Sequence, residues 1–366
     1  MIVDITEFRR RAKEGLIRSQ TLDDLIIWNY TAKCQYARAW DEYTIRARGL
    51  ITDRDGNVRS VSFPKFWNLG ERPETQLDAL PKEDPVVTRK LDGFLGISYR
   101  HNGMVKIASR GSFTSEYAQW ATEWLNSTND WAAWNRLNPD FTYVFEILYP
   151  HRRIVVDNGG NYGLHLLAVF HTDSGAEIAH SAVRRIAEQY GWPVVAQYPT
   201  RTITECLDLA KTLRGVEQEG FVAHYPSAGL RVKIKGDDYS KIHRIATRLS
   251  VRRVWELLAS GKPEDMQQLQ DIKDALPRSY AEWVHRQASS LSDSHVNRMQ
   301  QIQLIALDSS LTDLTDRKSI VMYLQENYPD LWREALYWSD GKFDSASGMV
   351  WKSLRPEHEV PLISEE

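Results

Sequence analysis

Between residues 24 and 235 the apolar positions recur mainly at the spacing of strands, and beyond residue 241 at the spacing of helices. Ahead of the first strand, Asp4 and Thr6 are placed to cap a short helix through Glu14. Residues 24–31, with Leu-Ile-Ile-Trp-Asn-Tyr at their centre, predict a strand. Residues 43–52 set Arg48-Gly49 among apolar neighbours and lead into Asp55-Gly56-Asn57, a strong hairpin turn, so Arg48 falls just before the first hairpin strand. Residues 86–91, 94–100 and 104–109 predict a β-meander that turns at His101-Asn102-Gly103. In that reading Lys90 and Asp92 point to the same side of one continuous strand.

Residues 114–125 place Tyr117, Trp120, Ala121 and Trp124 at helical spacing, with the tryptophans read as core. Residues 141–148 form an almost unbroken apolar strand that contains one acid, Glu146. A carboxylate inside a buried strand is costly unless it is paired or binds a metal, so Glu146 is either a structural salt bridge or a functional acid. Residues 164–170 predict another strand, and 181–190 and 204–214 predict helices that stop at Gly191 and Gly215. Residues 218–225 and 230–235 then pair as a hairpin, and Arg231, Lys233 and Lys235 share one face of its second strand. Such a row of like charges calls for an anion opposite.

Helical segments are expected at 251–259, 263–276, 279–289, 293–307 and 317–326, with an acidic, loosely ordered tail after Pro356. The simplest account is an α+β domain over 1–243, with antiparallel sheets and flanking helices, followed by an all-α domain over 244–366.

Composition adds little to this picture. The 366 residues and net charge of −3 suit a soluble two-domain protein and argue against a globally basic nucleic-acid binder, while leaving room for a local basic patch. Only Cys34 and Cys206 occur, without a Cys-x-x-Cys pair or zinc-type His spacing, so no disulfide framework or structural metal is expected and a reducing cytoplasm is. The first residues mix acids and arginines too closely for a signal peptide, and no apolar run reaches the length of a membrane span.

Lys90, in Thr88-Arg-Lys-Leu-Asp-Gly93, is a candidate nucleophile. A free lysine titrates at about pH 10.4, so it attacks phosphorus at neutral pH only where burial or cationic neighbours lower that value. Taken alone, Lys-Leu-Asp-Gly is indistinguishable from a surface turn. What singles it out is its company: Arg48-Gly49, Lys65 within the aromatic segment 62–70, Arg110-Gly111, Glu146, Glu219-Gly220 and Lys233-x-Lys235. Lys65 is either a cation snorkelling from an aromatic cluster or a second phosphate-facing lysine.

This ordered set resembles the covalent nucleotidyltransferases, which include polynucleotide ligases and capping enzymes, and within them the RNA ligase 1 type of the T-even phages. Lys90-Leu-Asp-Gly matches the nucleophile motif, Phe145-Glu146 and Glu219-Gly-Phe-Val222 the two acidic motifs, and Val232-Lys-Ile-Lys235 the last. Ala47-Arg-Gly49, Lys65-Phe-Trp-Asn-Leu69, Arg153-Ile-Val155 and Lys233-Ile-Lys-Gly-Asp-Asp-Tyr239 sharpen the likeness, which covers the N-terminal two thirds and is faint over the helical third. The resemblance implies an ATP-grasp-like ligase fold and a lysyl-AMP on Lys90, with Lys233 and Lys235 stabilising phosphate charge. It implies that Arg48, Lys65, Asp92, Gly93, Trp28 and Glu219 bind the nucleotide and that Glu146 and Glu219 hold Mg²⁺ or Mn²⁺. Trp28 stands where the family has a tyrosine that contacts ATP. The implied partner is RNA with 5′-phosphate and 3′-hydroxyl ends, nicked tRNA among them, joined by a cytoplasmic monomer with no membrane partner.

A DNA ligase or capping guanylyltransferase shares these motifs but normally follows them with a β-barrel, which the strand-poor C-terminal third does not offer. A purely RNA-binding protein has no use for a lysine beside paired acids. No G-x-x-x-x-G-K-[ST] phosphate loop occurs, so no end-healing kinase is fused to the chain.

Overall fold

Asp4 caps the first helix, Ile5–Lys13, by accepting hydrogen bonds from the Thr6 and Glu7 amides. A computed structural model of the protein describes residues 1–128, 137–199, 202–358 and 362–363, so most of the expected acidic tail lies outside the described residues. The chain divides into two compact units, Met1–Lys241 and Ile242–Glu365, each with its own core.

The first unit is α+β and contains three four-stranded sheets. One joins β1 (Ile17–Leu22), β2 (Leu25–Tyr30), β3 (Arg48–Thr52) and β4 (Val58–Ser60) in that order. β1 is polar and largely exposed, which is why its sequence carries little strand signal. A second sheet has the order β10 (Gly163–His171), β9 (Phe141–Leu148), β7 (Phe94–His101), β8 (Met104–Ser109). The third has the order β5 (Trp67–Asn68), β12 (Leu230–Lys235), β11 (Gly220–Tyr225), β6 (Val86–Lys90). Among these described strands all pairings are antiparallel except β5 with β12.

The expected meander is therefore broken. β6 ends at Lys90 and belongs to the third sheet, whereas β7 and β8 belong to the second. Lys90 and Asp92 do not lie on one continuous strand. Three residues cross between sheets, and Gly93 passes so close to β9 that a Cβ there would meet Ile147 O at 2.5 Å and Glu146 Cγ at 3.0 Å.

The second sheet buries Phe145, Ile147, Leu164 and Leu166 against helices Glu116–Thr128 and His180–Tyr190, with Trp120 and Trp124 packed on this core as expected. The second unit is helical among its described residues. Residues 278–306 form one 29-residue helix where the pattern suggested two. The serines around 290 imitate a cap, but Ser294 Oγ instead donates to the Ser290 carbonyl within a continuous helix. Its core is Ile302, Ile305, Leu324, Ala335, Leu336 and Val350.

Candidate active site

Strand register gathers the key residues at one end of the third sheet. Gly220 is the ladder partner of Lys90 on one side and of Lys235 on the other, so Glu219, one residue earlier, falls between two lysines. Glu219 Oε2 accepts from Lys90 Nζ at 2.8 Å and its Oε1 from Lys235 Nζ at 3.0 Å. The glycine is required there: its φ is +151°, and a Cβ would lie 2.0 Å from the Ile234 carbonyl oxygen. Burial would raise the Glu219 carboxyl, but the two lysines outweigh it and hold it below the usual carboxylate range.

Glu146 arrives from β9 and accepts from the Gly93 amide at 2.9 Å. Burial pushes its carboxyl up to about 7, with Lys90 opposing and Glu219 reinforcing the rise. Asp92 is buried beneath the crossover. Its Oδ2 accepts from the Val155 and Val156 amides at 2.7 and 2.8 Å, and its Oδ1 from the Tyr239 hydroxyl at 2.7 Å. Asp92 thus ties the Lys90 end of β6 to residues 155–156 and to helix Asp237–Arg248.

Three further cations surround the lysine without a carboxylate. Arg48 opens β3 at a β-bulge, where Gly49 with φ +87° is the extra residue between the Trp28–Leu50 and Asn29–Arg48 pairs. Lys233 lies beside it on β12, and Lys65 precedes β5. Among the described residues no carboxylate stands within ion-pair distance of Arg48, Lys65 or Lys233. Burial, with Arg48, Lys65, Lys90 and Lys235 around it, holds the Lys233 ammonium well below its normal value. A half-buried group of cations without carboxylate partners, next to a lysine and two acids, has the chemistry to take up a polyphosphate beside an amine.

The family model described as RNA ligase, of the T4 type, matches residues 46–239 and so spans Arg48 to Tyr239. The chain belongs to this RNA ligase family. An RNA ligase of Rhodothermus phage RM378 is 26% identical in an alignment of 318 positions, gaps included, that covers 69% of this chain and 71% of that one. Among solved structures, an archaeal ATP-dependent RNA ligase superposes with a TM-score of 0.51 at 14% identity, covering 78% of this chain and 76% of its own. A protein provisionally named as an ATP-dependent DNA ligase from Aquifex aeolicus gives 0.52 at 15% identity, covering 96% and 98%. These two likenesses concern the fold.

Against this RNA ligase frame, most of the residues singled out in the sequence converge, and one does not. Trp28 is 2% exposed, packs on Phe8 at 5.4 Å and donates from Nε1 to Thr52 Oγ1 at 3.0 Å. It is a core residue, because the first helix covers its face of β2, and it offers no surface to a nucleotide. The aromatic beside the cations is Tyr30: Lys65 Nζ and Arg110 Cζ lie 5.5 and 5.2 Å from its ring centroid. The Trp-Asn-Tyr triplet held both rings, and their neighbours tell them apart: Trp28 packs on Phe8, Tyr30 on Trp40 and Lys65. Phe66 and Tyr239 stand within matched motifs without a role of their own in the sequence reading, and Trp40 lies outside them.

The Lys90 ammonium differs from expectation too. Burial pushes it down, but Glu219, Glu146 and Asp92 outweigh burial, and the net direction is upward. Lys233 and Lys235 therefore do not by themselves activate it. The hard oxygen donors of Glu146 and Glu219 fit a divalent cation of the Mg²⁺ or Mn²⁺ type. No group of three or more His, Cys, Asp or Glu side chains suited to a metal occurs among the described residues, so phosphate oxygens and water would have to complete its shell.

Proposed function

We propose that this protein is an ATP-dependent RNA ligase that joins 5′-phosphate and 3′-hydroxyl RNA ends through AMP carried on Lys90. The observation that carries the reading is the half-buried trio Arg48, Lys65 and Lys233, without carboxylate partners among the described residues, beside a lysine held by Glu219.

In the first step the neutral Lys90 amine attacks the α-phosphorus of ATP, a P–N bond forms and the bond to pyrophosphate breaks. Lys90 reaches that state when Glu219 is drawn away from it, since Glu219 is the first of the groups that raise its value. Lys233 and Lys235 stabilise negative charge on the phosphates, and Arg48 and Lys65 bind the outer ones. Bound by Glu146 and Glu219, a divalent cation would supply Lewis-acid stabilisation of the same charge. Gly93 lets the backbone approach the nucleotide closely, and Asp92 acts as a brace through Tyr239 and the residue 155–156 amides.

In the second step a 5′-phosphate oxygen of RNA displaces Lys90 from the AMP phosphorus. In the third a 3′-hydroxyl attacks the activated 5′-phosphorus and AMP leaves. The helical unit serves RNA recognition, broken tRNA is the substrate class we favour, and the working form is a cytoplasmic monomer. No helix among the described residues is long and apolar enough to cross a membrane.

The test is covalent labelling with α-labelled ATP or GTP and a divalent cation, read on a denaturing gel, followed by sealing of 5′-phosphorylated RNA and DNA strands. We expect a label from ATP, its loss in Lys90→Ala, and sealing of RNA. Labelling by GTP alone would indicate a capping enzyme, and no label from either would overturn the proposal.

A further inference from the structure

The three cations of β12 are compensated in three ways. Arg231 is buried against the Glu177 carboxylate. Lys235 is paired with Glu219. Lys233, between them, has no carboxylate, and its Nζ lies 4.6 Å from the centroid of the Phe66 ring. The same ring takes a second cation, with Arg48 Cζ at 5.6 Å. One phenyl ring thus lies against two of the three cations that lack a carboxylate partner among the described residues.

We propose that Phe66 is a positioning residue for the polyphosphate of the nucleotide: its ring holds Lys233 charged, and Lys233 and Arg48 in place, without supplying an anion that the ligand must displace. The proposal rests on the nucleotide-site reading above. The negative face of an aromatic ring attracts a cation, more strongly where water is excluded, yet leaves its N–H donors unspent. A carboxylate at that position would neutralise the pair and close the site. With neither, Lys233 would face Arg48, Lys65, Lys90 and Lys235. It would then lose its proton or turn to an acid, and either outcome removes positive charge from the pocket. Phe66 is half-buried at the edge of the core formed by Val61, Phe63 and Phe170, so an apolar side chain of similar size can keep the packing.

The test is calorimetric binding of inorganic tripolyphosphate to the full chain across pH. The proteins compared are wild type, Phe66→Leu, Phe66→Tyr and a form with pentafluorophenylalanine at position 66, which keeps the ring's shape and reverses its quadrupole. We expect binding roughly tenfold weaker in the leucine and fluorinated forms, near wild type in the tyrosine form. The pH above which binding falls should move down in the first two. Wild-type affinity and pH profile in the fluorinated protein would overturn the proposal, whatever happens to the folding of Phe66→Leu. Because tripolyphosphate binding needs no covalent step, failure of wild-type protein to form lysyl-AMP would count against the ligase reading and leave this test standing.

Discussion

Lys90 donates to Glu219 at 2.8 Å, in a pair whose carboxylate is 3% exposed and whose lysine is 20% exposed. The acid stabilises the ammonium more than burial destabilises it, so the resting lysine is protonated and unreactive. Its reactivity toward an acylating reagent should rise steeply only on the alkaline side. In Glu219→Gln the rise should begin at lower pH, as peptide mapping of the Lys90 modification would show. An identical profile in the two proteins would separate Lys90 from Glu219 energetically.

Glu146 titrates at about 7 in the fold against an ordinary 4.5, burial being the cause. A raised value means that its contribution to stability is fully present below pH 4.5 and is lost as pH rises through about 7. Glu146→Gln keeps an oxygen for the Gly93 amide and never ionises. It should be more stable than wild type at pH 8, by up to about 3 kcal/mol, and close to it at pH 5. Thermal unfolding at the two pH values checks this, and divalent-cation affinity of the wild type should strengthen over the same interval.

Gly220 carries φ +151° and has the Ile234 carbonyl where a Cβ would stand. Gly220→Ala should therefore cost more than about 2 kcal/mol and displace Glu219 from between its lysines. Denaturant unfolding measures the first effect. Earlier onset of Lys90 acylation measures the second.

Arg231 and Glu177 form a mostly buried pair, with Arg231 stacked on Phe63 at 4.8 Å. Glu177→Ala leaves a buried guanidinium unpaired and should cost about 3–5 kcal/mol. Adding Arg231→Met should recover most of that loss in urea unfolding. A single mutant as stable as wild type would show the pair to be idle.

Much of the site was legible because its chemistry breaks local rules. An acid in an apolar strand, a lysine before Asp-Gly, and a strand with three cations on one face are each improbable as plain scaffolding, and Glu146, Lys90 and Lys233 come together in the fold. What remained hidden depends on tertiary geometry. The break between β6 and β7 is invisible to alternation, since both halves read as strand and only the contact of Gly93 with β9 separates them. The choice between Trp28 and Tyr30 turns on neighbours brought in from elsewhere in the chain, Phe8 for one and Trp40 with Lys65 for the other. The upward direction of the Lys90 value follows from distances to Glu219, which spacing along the chain does not give.

The shared partnership of Lys90 and Lys235 with Gly220 fixes where the sheet can accept foreign sequence. β11 leaves the site at Gly220 and reaches its hairpin turn after Tyr225, about 17 Å away at the rise of a strand. Residues added at that turn lengthen a loop and leave every rung below it in step. One residue added within β6 would instead exchange Lys90 for Arg89 on the working face. The turn at 226–229 is thus the natural place to graft a tag or a fluorophore, while β6, β11 and β12 must keep their lengths.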